Sequence, residues 1–340
     1  MRGHRLVWGL GLGLSLMTLL ALAAAYLGVL CQWWGLGCLD PCGALRQVEG
    51  FGRNPGRLQM CVYVPDGLPR QSPLVVVLHG CSQGAEDTAK GAGWTEIADA
   101  RGLALLLPQQ MTPNNLGRCF NWFLPRDAMS AAAGGSGEAV SIREMIAWML
   151  EGPYAPDPDR IYVSGFSAGG AMTAALLADY PSLFAAGAIF AGVPYGCASS
   201  TAEAIACMTL GRDLPGQIWA ERISRAGMAA AAAESPSVKL SVWQGAADKT
   251  VAPLNAQKIV EGWLSLLDVD PRPDRVLRVE GARYLGYEDA SGTLVVERYL
   301  IPGLGHAVPV DAAAGCGSPG RYFRDIGLCA SRRIVDFWGL

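Results

Sequence analysis

The sequence predicts an α/β fold with a mainly parallel central sheet flanked by helices. Short apolar runs alternate along the chain with longer amphipathic segments, which is the order of βαβ units. The apolar runs are continuous in Val, Ile and Leu, as expected for strands buried on both faces. No repeat, low-complexity linker or break in composition divides the chain, so we expect a single large domain after an N-terminal export or anchor segment.

The predicted elements follow from these runs. Strands are predicted at 58–64, 74–80, 103–108, 160–165, 185–192, 239–245 and 296–303. Helices are predicted between them at 85–100, 137–151, 168–180, 214–233 and 253–267, with a closing helix at 321–338.

The N-terminus has the pattern of a targeting segment. Arg2, His4 and Arg5 precede an apolar run, and no further charge occurs before Asp40. The run of about 25 residues ends in small residues, as a cleaved signal peptide does, but is also long enough to span a bilayer. Both alternatives, including a membrane tether through 6–30, place the bulk of the chain outside the cytoplasm. The expected division is 1–30 signal peptide or membrane anchor, 31–57 cysteine-containing segment and 58–340 catalytic domain.

Cysteine usage agrees with export. All 10 cysteines follow the apolar segment, at positions 31, 38, 42, 61, 81, 119, 197, 207, 316 and 329. An even number in an oxidising compartment predicts disulfides, although sequence alone does not define the pairing. The pairs we expect are Cys81–Cys119, Cys197–Cys207 and Cys316–Cys329, with the four N-terminal cysteines pairing among themselves.

Several classes of partner are disfavoured. The net charge of −3 and the absence of a Lys/Arg cluster in the sequence give no electrostatic basis for binding nucleic acid. Zinc is disfavoured because CQWWGLGCLDPC lacks paired C-x₂-C spacing and has no histidine nearby. We expect no metal and no cofactor, and the sequence does not indicate an oligomeric state.

The stretch RIYVSGFSAGGAM (160–172) places Ser167 at a predicted strand-to-helix junction. With 43 glycines in the chain, a G-x-S-x-G motif can occur by chance and is weak evidence for a catalytic serine. The surrounding structure has to decide whether the serine is a nucleophile. Such a junction is the context of a nucleophile elbow, whose sharp turn requires small neighbours; Gly165, Gly169 and Gly170 supply them. The helix N-terminus would offer free amides to an oxyanion. The alternative is a tight turn with an incidental serine.

A serine nucleophile needs a base, usually a histidine held by a carboxylate. The chain has only three histidines. His4 lies in the targeting segment, and His79 ends an early strand, where it would pack under the following loop. His306 lies in IPGLGHAVP after the last strand, and in this arrangement the order along the chain is serine, acid, histidine. His306 is therefore the predicted base.

The predicted acid is Asp248, in LSVWQGAADKTV. It follows a strong apolar run, at the carboxyl end of a strand, where α/β sites assemble. Its role would be to hold the His306 tautomer and stabilise the imidazolium. The rival acids lie in a proline-containing connection or a hairpin-like turn: Asp268, Asp270, Asp274 and Asp289.

LHGCSQ supplies the second oxyanion donor. In such sites one amide comes from the loop after an early strand and one from the residue after the nucleophile, here Cys81 and Ala168. A Cys81–Cys119 disulfide would hold the oxyanion loop against RCFNWF. Cys81 as the nucleophile is disfavoured because it has no better access to His306 than Ser167 has.

Several motifs together resemble the poly(3-hydroxybutyrate) depolymerase family of α/β-hydrolase esterases. They are, in order, VVVLHGCSQ, NLGRCFNWF, GGSGEAVSIREMI, DRIYVSGFSAGGAMTAALLADYPSLFAAGAIFAGVPYG and VWQGAADKTV. The resemblance implies an α/β-hydrolase fold, a Ser167–His306–Asp248 triad with the Cys81 and Ala168 amides, and cleavage of 3-hydroxyalkanoate esters through an acyl-enzyme. The alternatives are a feruloyl or acetyl-xylan type carbohydrate esterase and a non-catalytic, membrane-tethered binding protein.

The sequence also suggests which residues contact the substrate and what physical form the substrate has. Aromatic residues near strand ends could line an apolar cleft for an uncharged polymeric or oligomeric ester: Trp122, Phe123, Phe166, Tyr195 and Trp243. The alternative for each is core packing. Secreted members of the family often carry a polymer-binding domain after the catalytic one, whereas this chain ends 34 residues after His306. We therefore expect soluble oligomers, amorphous polymer or another ester in preference to crystalline polymer.

Overall fold

The computed structural model describes residues 42–229 and 238–340. Ten strands form one sheet in the order β1-β2-β4-β3-β5-β6-β7-β10-β9-β8, and β11 and β12 form a second, small sheet. The strands are β1 Arg46–Val48, β2 Gln59–Tyr63, β3 Leu74–Leu78, β4 Ala104–Gln109, β5 Ile161–Phe166, β6 Ala186–Phe190, β7 Lys239–Gly245, β8 Arg275–Val279, β9 Ala282–Glu288, β10 Leu294–Ile301, β11 Val308–Val310 and β12 Phe323–Asp325.

The centre of the large sheet is parallel. Six neighbouring strands, β4-β3-β5-β6-β7-β10, run in one direction. Antiparallel strands extend the sheet at both edges, β1 and β2 at one and β9 and β8 at the other. Strands β3 and β5 are buried at every residue, because helices cover both faces. The predicted mainly parallel α/β fold and all seven predicted strands are confirmed.

Nine helices occur in the described ranges. They are α1 Ala85–Gly91, α2 Trp94–Arg101, α3 Pro125–Ala128, α4 Glu138–Glu151, α5 Ala168–Asp179, α6 Thr201–Leu210, α7 Gly216–Ala229, α8 Leu254–Leu266 and α9 Ala330–Trp338. Apolar side chains of α1, α2 and α9 pack on one face of the sheet, and those of α4, α5, α7 and α8 on the other. The core is therefore two apolar layers separated by the sheet.

Two predicted helices differ from the structure. The segment predicted as one helix at 85–100 is two, α1 and α2, because Gly93 takes φ +76°, a left-handed conformation that ends the first helix. A Cβ at Gly93 would lie 2.6 Å from the Gly317 amide nitrogen, so the close approach also requires glycine. The closing helix predicted at 321–338 begins only at Ala330, since Phe323–Asp325 pairs with β11 instead.

Residues 42–57 are continuous with the large sheet. Strand β1 pairs with β2 in antiparallel register, Gln47 opposite Cys61. A disulfide joins Cys42 to Cys61 across this pair. The part of the cysteine-containing segment that the structure describes is thus an edge of the same sheet.

Four disulfides join described residues: Cys42–Cys61, Cys81–Cys119, Cys197–Cys207 and Cys316–Cys329. The last three are the pairs expected from the sequence. Within 42–229 and 238–340, no helix is long and apolar enough to cross a membrane. The signal peptide or anchor predicted at 1–30, with Cys31 and Cys38, lies outside the described residues.

Candidate active site

Ser167 occupies the sharp turn between β5 and α5. Strand β5 ends at Phe166 and α5 begins at Ala168, which leaves Ser167 with φ 56° and ψ −117°. This conformation is strained for a residue with a side chain, and such strain is concentrated at functional positions. A Cβ at Gly165 would lie 2.2 Å from the Gly169 carbonyl oxygen, so the turn closes only with glycine there.

His306 lies beside Ser167. Its Nε2 is 2.9 Å from the Ser167 Oγ. The residue sits in the connection between β10 and β11, and its ring packs against that of Phe166 with centroids 4.7 Å apart. The loop therefore places an imidazole nitrogen within hydrogen-bond reach of the serine hydroxyl.

Asp248 lies on the other side of the His306 ring. The Asp248 Oδ2 is 2.7 Å from the His306 Nδ1, and the carboxylate is fully buried. Its Oδ1 accepts the backbone amides of Thr250 and Val251, at 2.8 and 2.9 Å. Burial on its own would raise the pKa of Asp248, but the hydrogen bonds from His306 and these amides outweigh burial and hold it below its usual value. The arrangement maintains an ionised carboxylate against the ring.

The rival acids are not brought to His306. Asp268, Asp270 and Asp274 lie in the connection from α8 to β8, and Asp289 lies in the turn between β9 and β10. Asp289 accepts hydrogen bonds from Ser291 and Thr293 within that turn. Of the candidate acids, Asp248 is therefore the one that the sheet places beside His306.

Two residues that line the same cleft as Ser167 were predicted to supply oxyanion donors through their backbone amides. The cleft has a volume of about 220 Å³, and both Cys81 and Ala168 line it. Within the described parts of the chain, no acceptor is bonded to either amide. The Cys81–Cys119 disulfide ties the first amide to the loop that carries Trp122. Two free N–H groups beside a serine hydroxyl are the arrangement that can hold an oxyanion.

His79 is a buried residue beneath this loop. Its Nδ1 is 2.7 Å from the Gly80 carbonyl oxygen, and its Nε2 accepts the Gln110 amide at 3.0 Å. Burial lowers its pKa to about 4, so the ring is neutral near pH 7. The structure does not bring His79 into contact with Ser167, in agreement with its interpretation as a packing residue.

The cleft walls are apolar. Trp122 and Phe123 line one side, and helix α6 contributes Ala204, Ile205 and Met208. Helix α6 was not predicted, although its N-cap is readable: Ser200 and Glu203 have the serine–x–x–glutamate spacing, and the Ser200 side chain accepts the amide of Glu203. The Cys197–Cys207 disulfide holds this helix to the loop after β6.

Three other aromatic residues proposed for the cleft lie elsewhere. Trp243 is in the core, with 1% of its surface exposed and its ring stacked 3.7 Å from that of Tyr299. Tyr195 is hydrogen-bonded to Asp179 and lines a different cavity, of about 10 Å³. Phe166 is buried behind His306 and does not line the cleft. Of the proposed contacts, Trp122 and Phe123 are the ones that line it.

Glu138 is a buried acid that the sequence interpretation missed. It lies in the first turn of α4 and accepts hydrogen bonds from Asn121 and from the Gln110 side chain. Burial raises its pKa to about 8, although these donors favour the ionised form.

Within the described ranges, no group of three or more His, Cys, Asp or Glu residues could hold a metal ion.

Fold and relatives together define the class. A solved acetyl xylan esterase from Aspergillus awamori is 22% identical, with a TM-score of 0.70, over 87% of this chain and 99% of that chain; this establishes the fold. The protein is a carboxylic-ester hydrolase of the α/β-hydrolase fold. The chain belongs to the esterase PHB depolymerase family, whose sequence profile matches residues 58–271.

Two curated relatives are similar to this chain. A poly(3-hydroxyalkanoate) depolymerase C from Paucimonas lemoignei is 41% identical over 300 residues, which are 87% of this chain and 70% of the relative. A feruloyl esterase B from Thermothelomyces thermophilus is 32% identical over 232 residues, 67% of this chain and 76% of the relative. The resemblance inferred from the motifs is confirmed.

Proposed function

We propose that the protein is an exported serine esterase that hydrolyses 3-hydroxyalkanoate esters, such as oligomers or amorphous chains of 3-hydroxybutyrate. The observation that carries the mechanism is the pair of contacts at His306, 2.9 Å to the Ser167 Oγ and 2.7 Å to the Asp248 Oδ2. These distances and the order of the three groups are those of a nucleophile, a base and an orienting acid.

Acylation begins with attack of the Ser167 Oγ on the ester carbonyl carbon. His306 Nε2 accepts the hydroxyl proton, and the Asp248 carboxylate stabilises the imidazolium through Nδ1. The carbonyl oxygen becomes an oxyanion, which the amides of Cys81 and Ala168 hold. Collapse breaks the ester C–O bond, and His306 returns its proton to the leaving alcohol oxygen.

Deacylation repeats these steps with water. His306 takes a proton from a water molecule, whose oxygen attacks the acyl carbon, and the same amides hold the second oxyanion. Collapse releases the acid, and the proton on His306 returns to the Ser167 Oγ. One ester and one water thus yield one acid and one alcohol, and the enzyme is regenerated.

The substrate class rests on two observations. The 41% identical relative is named as a poly(3-hydroxyalkanoate) depolymerase. The cleft beside Ser167 has, among the described residues that line it, no charged side chain, and its walls include Trp122, Val193 and Met208. An uncharged, methyl-branched acyl unit suits such walls, because its burial needs no compensating charge.

A carbohydrate esterase is the second candidate. The 32% identity to a named feruloyl esterase supports it, because that similarity also covers about two thirds of this chain. The two candidates share the triad and differ in the acyl and alcohol groups that fit the site. A comparison of kcat/KM on 3-hydroxybutyrate oligomers, amorphous polymer, feruloylated sugars and acetylated xylan separates them. A higher kcat/KM on the sugar esters would show that the protein is a carbohydrate esterase and would leave the proposed mechanism unchanged.

Export is part of the proposal. Four disulfides between described residues require an oxidising compartment for their formation. Residues 1–30 would be the signal peptide or membrane anchor, and the hydrolase domain would comprise 58–340 together with the β1 segment that pairs with it. N-terminal sequencing of the mature protein distinguishes cleavage from retention of the segment.

The mechanism is tested by active-site labelling. We expect a fluorophosphonate to label the purified protein and Ser167→Ala to abolish both labelling and hydrolysis of p-nitrophenyl butyrate. Ser164→Ala is the matched control, since Ser164 lies buried in β5, the strand that leads to Ser167, three residues earlier. Labelling that survives in Ser167→Ala, or a folded wild-type protein that is never labelled, would favour the non-catalytic binding protein.

A further inference from the structure

Helix α6 presents one face to the cleft beside Ser167. The residues of this helix that line the cleft are Thr201, Ala204, Ile205 and Met208. Their spacing, i, i+3, i+4 and i+7, is that of a single stripe along a helix. Ala204 is buried and Met208 is half-buried, whereas Thr201 and Ile205 are exposed. The stripe therefore closes the inner part of the cleft with Ala204 and Met208 and leaves the other two residues at its mouth.

The part of the cleft next to Ser167 is built from small side chains. Ala168 and Ala171 lie in the first turn of α5, and the Ala171 amide donates to the Ser167 carbonyl oxygen at 2.9 Å. Ala191 directly follows Phe190, whose carbonyl oxygen accepts the Ser167 amide at 2.8 Å. These alanines leave open space immediately beside the serine, and the stripe of α6 lines the rest of the same space.

Helix α6 is anchored at its C-terminal turn. The Cys207 carbonyl oxygen accepts the buried Asn255 side chain at 3.0 Å, and the Met208 carbonyl oxygen accepts the Ala252 amide at 2.8 Å. Carbonyls of the last turn of a helix are free to bond to groups outside it. The Cys197–Cys207 disulfide ties the same turn to the loop after β6. A substrate too long for the cleft therefore cannot displace this turn without breaking these contacts.

The group that would fill this cleft is the acyl group of the ester. Cys81 and Ala168, whose amides would hold the carbonyl oxygen, line the cleft together with Ser167. His306, which would protonate the leaving alcohol, is not among the residues that line it. The His306 ring stands edge-on to that of Tyr322, with centroids 6.5 Å apart, and Tyr322 lines a separate cavity. The alcohol then departs on the His306 side, while the acyl chain stays on Ser167 and extends toward α6.

We propose that α6 is the end wall of an acyl pocket, and that Ala204 and Met208 limit the length of the acyl chain that the enzyme accepts. The cleft of about 220 Å³ is smaller than the roughly 300–1,000 Å³ of sites for drug-sized ligands, which agrees with a short acyl unit. Butyryl and 3-hydroxybutyryl groups are thus preferred to hexanoyl groups. This inference rests on the proposed function and names the residues that set its acyl specificity.

The test measures kcat/KM on p-nitrophenyl acetate, butyrate and hexanoate, which share one leaving group and differ in acyl length. The wild type should favour butyrate over hexanoate. Met208→Ala shortens the wall side chain and should raise the hexanoate-to-butyrate ratio about tenfold, because each newly buried methylene contributes roughly fourfold. Ala204→Leu narrows the pocket and should lower the butyrate-to-acetate ratio by a similar factor. Each ratio compares two substrates on one preparation, so an unfolded fraction of the enzyme cancels.

The matched controls are two substitutions at exposed positions of the same helix. Ala206→Leu adds the same side chain as Ala204→Leu, and Leu210→Ala is a truncation to alanine like Met208→Ala, but neither position lines the cleft. Both controls should keep the wild-type ratios. Shifts in the controls as large as those in the wall variants would show that the substitutions act through the helix as a whole, and would overturn the assignment of Ala204 and Met208.

A second substrate series distinguishes the acyl group from the alcohol. Methyl, butyl and hexyl butyrate share one acyl group and differ in the alcohol, so Met208→Ala and Ala204→Leu should leave their relative kcat/KM values unchanged. A change in this series in place of the acyl series would assign α6 to the alcohol and overturn the inference. A wild type that favours hexanoate over butyrate, or acyl ratios unaffected by both wall variants, would also overturn it.

Failure of the proposed function is recognised separately. If p-nitrophenyl esters are cleaved but 3-hydroxybutyrate oligomers are not, the proposed substrate class is wrong, and the acyl series still decides whether α6 limits acyl length. A folded wild type that cleaves no ester would refute both the proposed function and this inference.

Discussion

The side-chain carboxyl group of Glu138 accepts hydrogen bonds from the backbone N–H and the side-chain amide of Asn121. Its Oε2 accepts the backbone N–H and its Oε1 the side-chain Nδ2, each at 2.7 Å. Asn121 directly precedes Trp122 of the cleft and lies two residues after Cys119, which is bonded to Cys81. A residue in the first turn of α4 thereby positions the loop that lines the cleft and is bonded to Cys81, whose amide is one of the two proposed oxyanion donors.

Glu138→Ala should lower stability and activity together. Removing the carboxylate leaves donors of Asn121 and Gln110 buried without an acceptor, which should cost about 2–4 kcal/mol of unfolding free energy. The released loop should also lower kcat/KM on p-nitrophenyl butyrate, about tenfold, because oxyanion donors act only when they are held in place. Urea denaturation and steady-state kinetics measure the two effects.

The control for this variant is Glu144→Ala, on the same helix. Glu144 is bonded to Arg53 at the surface, at 3.3 Å, and such a pair contributes about 0–1 kcal/mol. Glu144→Ala should therefore leave the midpoint of urea unfolding and kcat/KM close to their wild-type values. An equal effect of both substitutions would show that Glu138 has no special role in the loop.

Gly169→Ala should destabilise the protein although it replaces a glycine inside a helix. A Cβ at Gly169 would lie 2.3 Å from the Leu78 carbonyl oxygen, so α5 would have to move away from β3. We expect a loss of about 1–3 kcal/mol from overpacking, with a larger fall in kcat because Ser167 moves with the helix.

Gly227→Ala in α7 is the matched control. The nearest atom to its added Cβ would be Pro181 Cγ at 3.4 Å, which is ordinary contact, so helix propensity should stabilise it, by about 0.5–1 kcal/mol. Thermal melts of the two variants should therefore shift in opposite directions. Melts that shift the same way would contradict the steric argument at Gly169.

Removing the Cys81–Cys119 disulfide should lower kcat even under conditions where the variant is fully folded, in addition to lowering the free energy of unfolding. The double variant Cys81→Ala/Cys119→Ala opens a loop with a sequence separation of 38, worth about 3–4 kcal/mol by chain entropy. It also frees the Cys81 amide, and losing one oxyanion donor lowers kcat about 10²-fold to 10³-fold.

Cys42→Ala/Cys61→Ala provides the comparison. That disulfide spans a separation of 19, so the stability loss should be similar, about 3 kcal/mol. It ties the segment before β1 to β2, and two strands, β4 and β3, lie between β2 and the strand that leads to Ser167. Its kcat on p-nitrophenyl butyrate should stay close to wild type at a temperature where both variants are folded. Equal losses of kcat would mean that the Cys81 disulfide contributes stability only.

Glu297 should make stability depend on pH. The side chain is buried in β10, accepts the Ser241 hydroxyl at 2.7 Å, and has a pKa raised by burial to about 7 from 4.5. Because the folded state holds this proton more tightly than the unfolded chain, its contribution is complete below pH 4.5 and is lost as pH rises through 7. The loss should approach ~3 kcal/mol.

Glu297→Gln removes this titration and keeps an acceptor for Ser241. The variant should gain stability relative to wild type between pH 5 and pH 8, measured as the difference in urea unfolding free energy. Other titrating groups are common to both proteins and cancel in that difference. Glu151→Gln, at the exposed end of α4, should follow wild type. A difference that does not change with pH would refute the assignment to Glu297.

Much of the geometry of the proposed triad was predictable from chain order. Ser167 follows β5, Asp248 follows β7 and His306 follows β10, and these strands are parallel in one sheet. Carboxyl ends of parallel strands meet at one edge, so residues that follow such strands converge there even when 139 positions separate Ser167 from His306. The scarcity of histidine then left one candidate for the base.

The substrate-facing residues were harder to predict because aromatic residues near strand ends look alike in a sequence. Trp122 lines the cleft while Trp243 is buried under Tyr299, and the difference comes from neighbours distant along the chain. Helix α6 was not predicted although its N-cap is readable; it belongs to a connection whose position depends on the Cys197–Cys207 disulfide.

The sequence by itself determined the mainly parallel sheet, the candidate nucleophile, base and acid, and the family. These follow from local periodicity, turn chemistry and residue order, which are properties of neighbouring positions. Only the tertiary structure decided that Glu138 holds the Asn121 loop, that Trp243 is core, and that Ala204 and Met208 line one cleft with Ser167. Each of these depends on packing between segments far apart in the chain, and burial and charge pairing exist only after those segments meet.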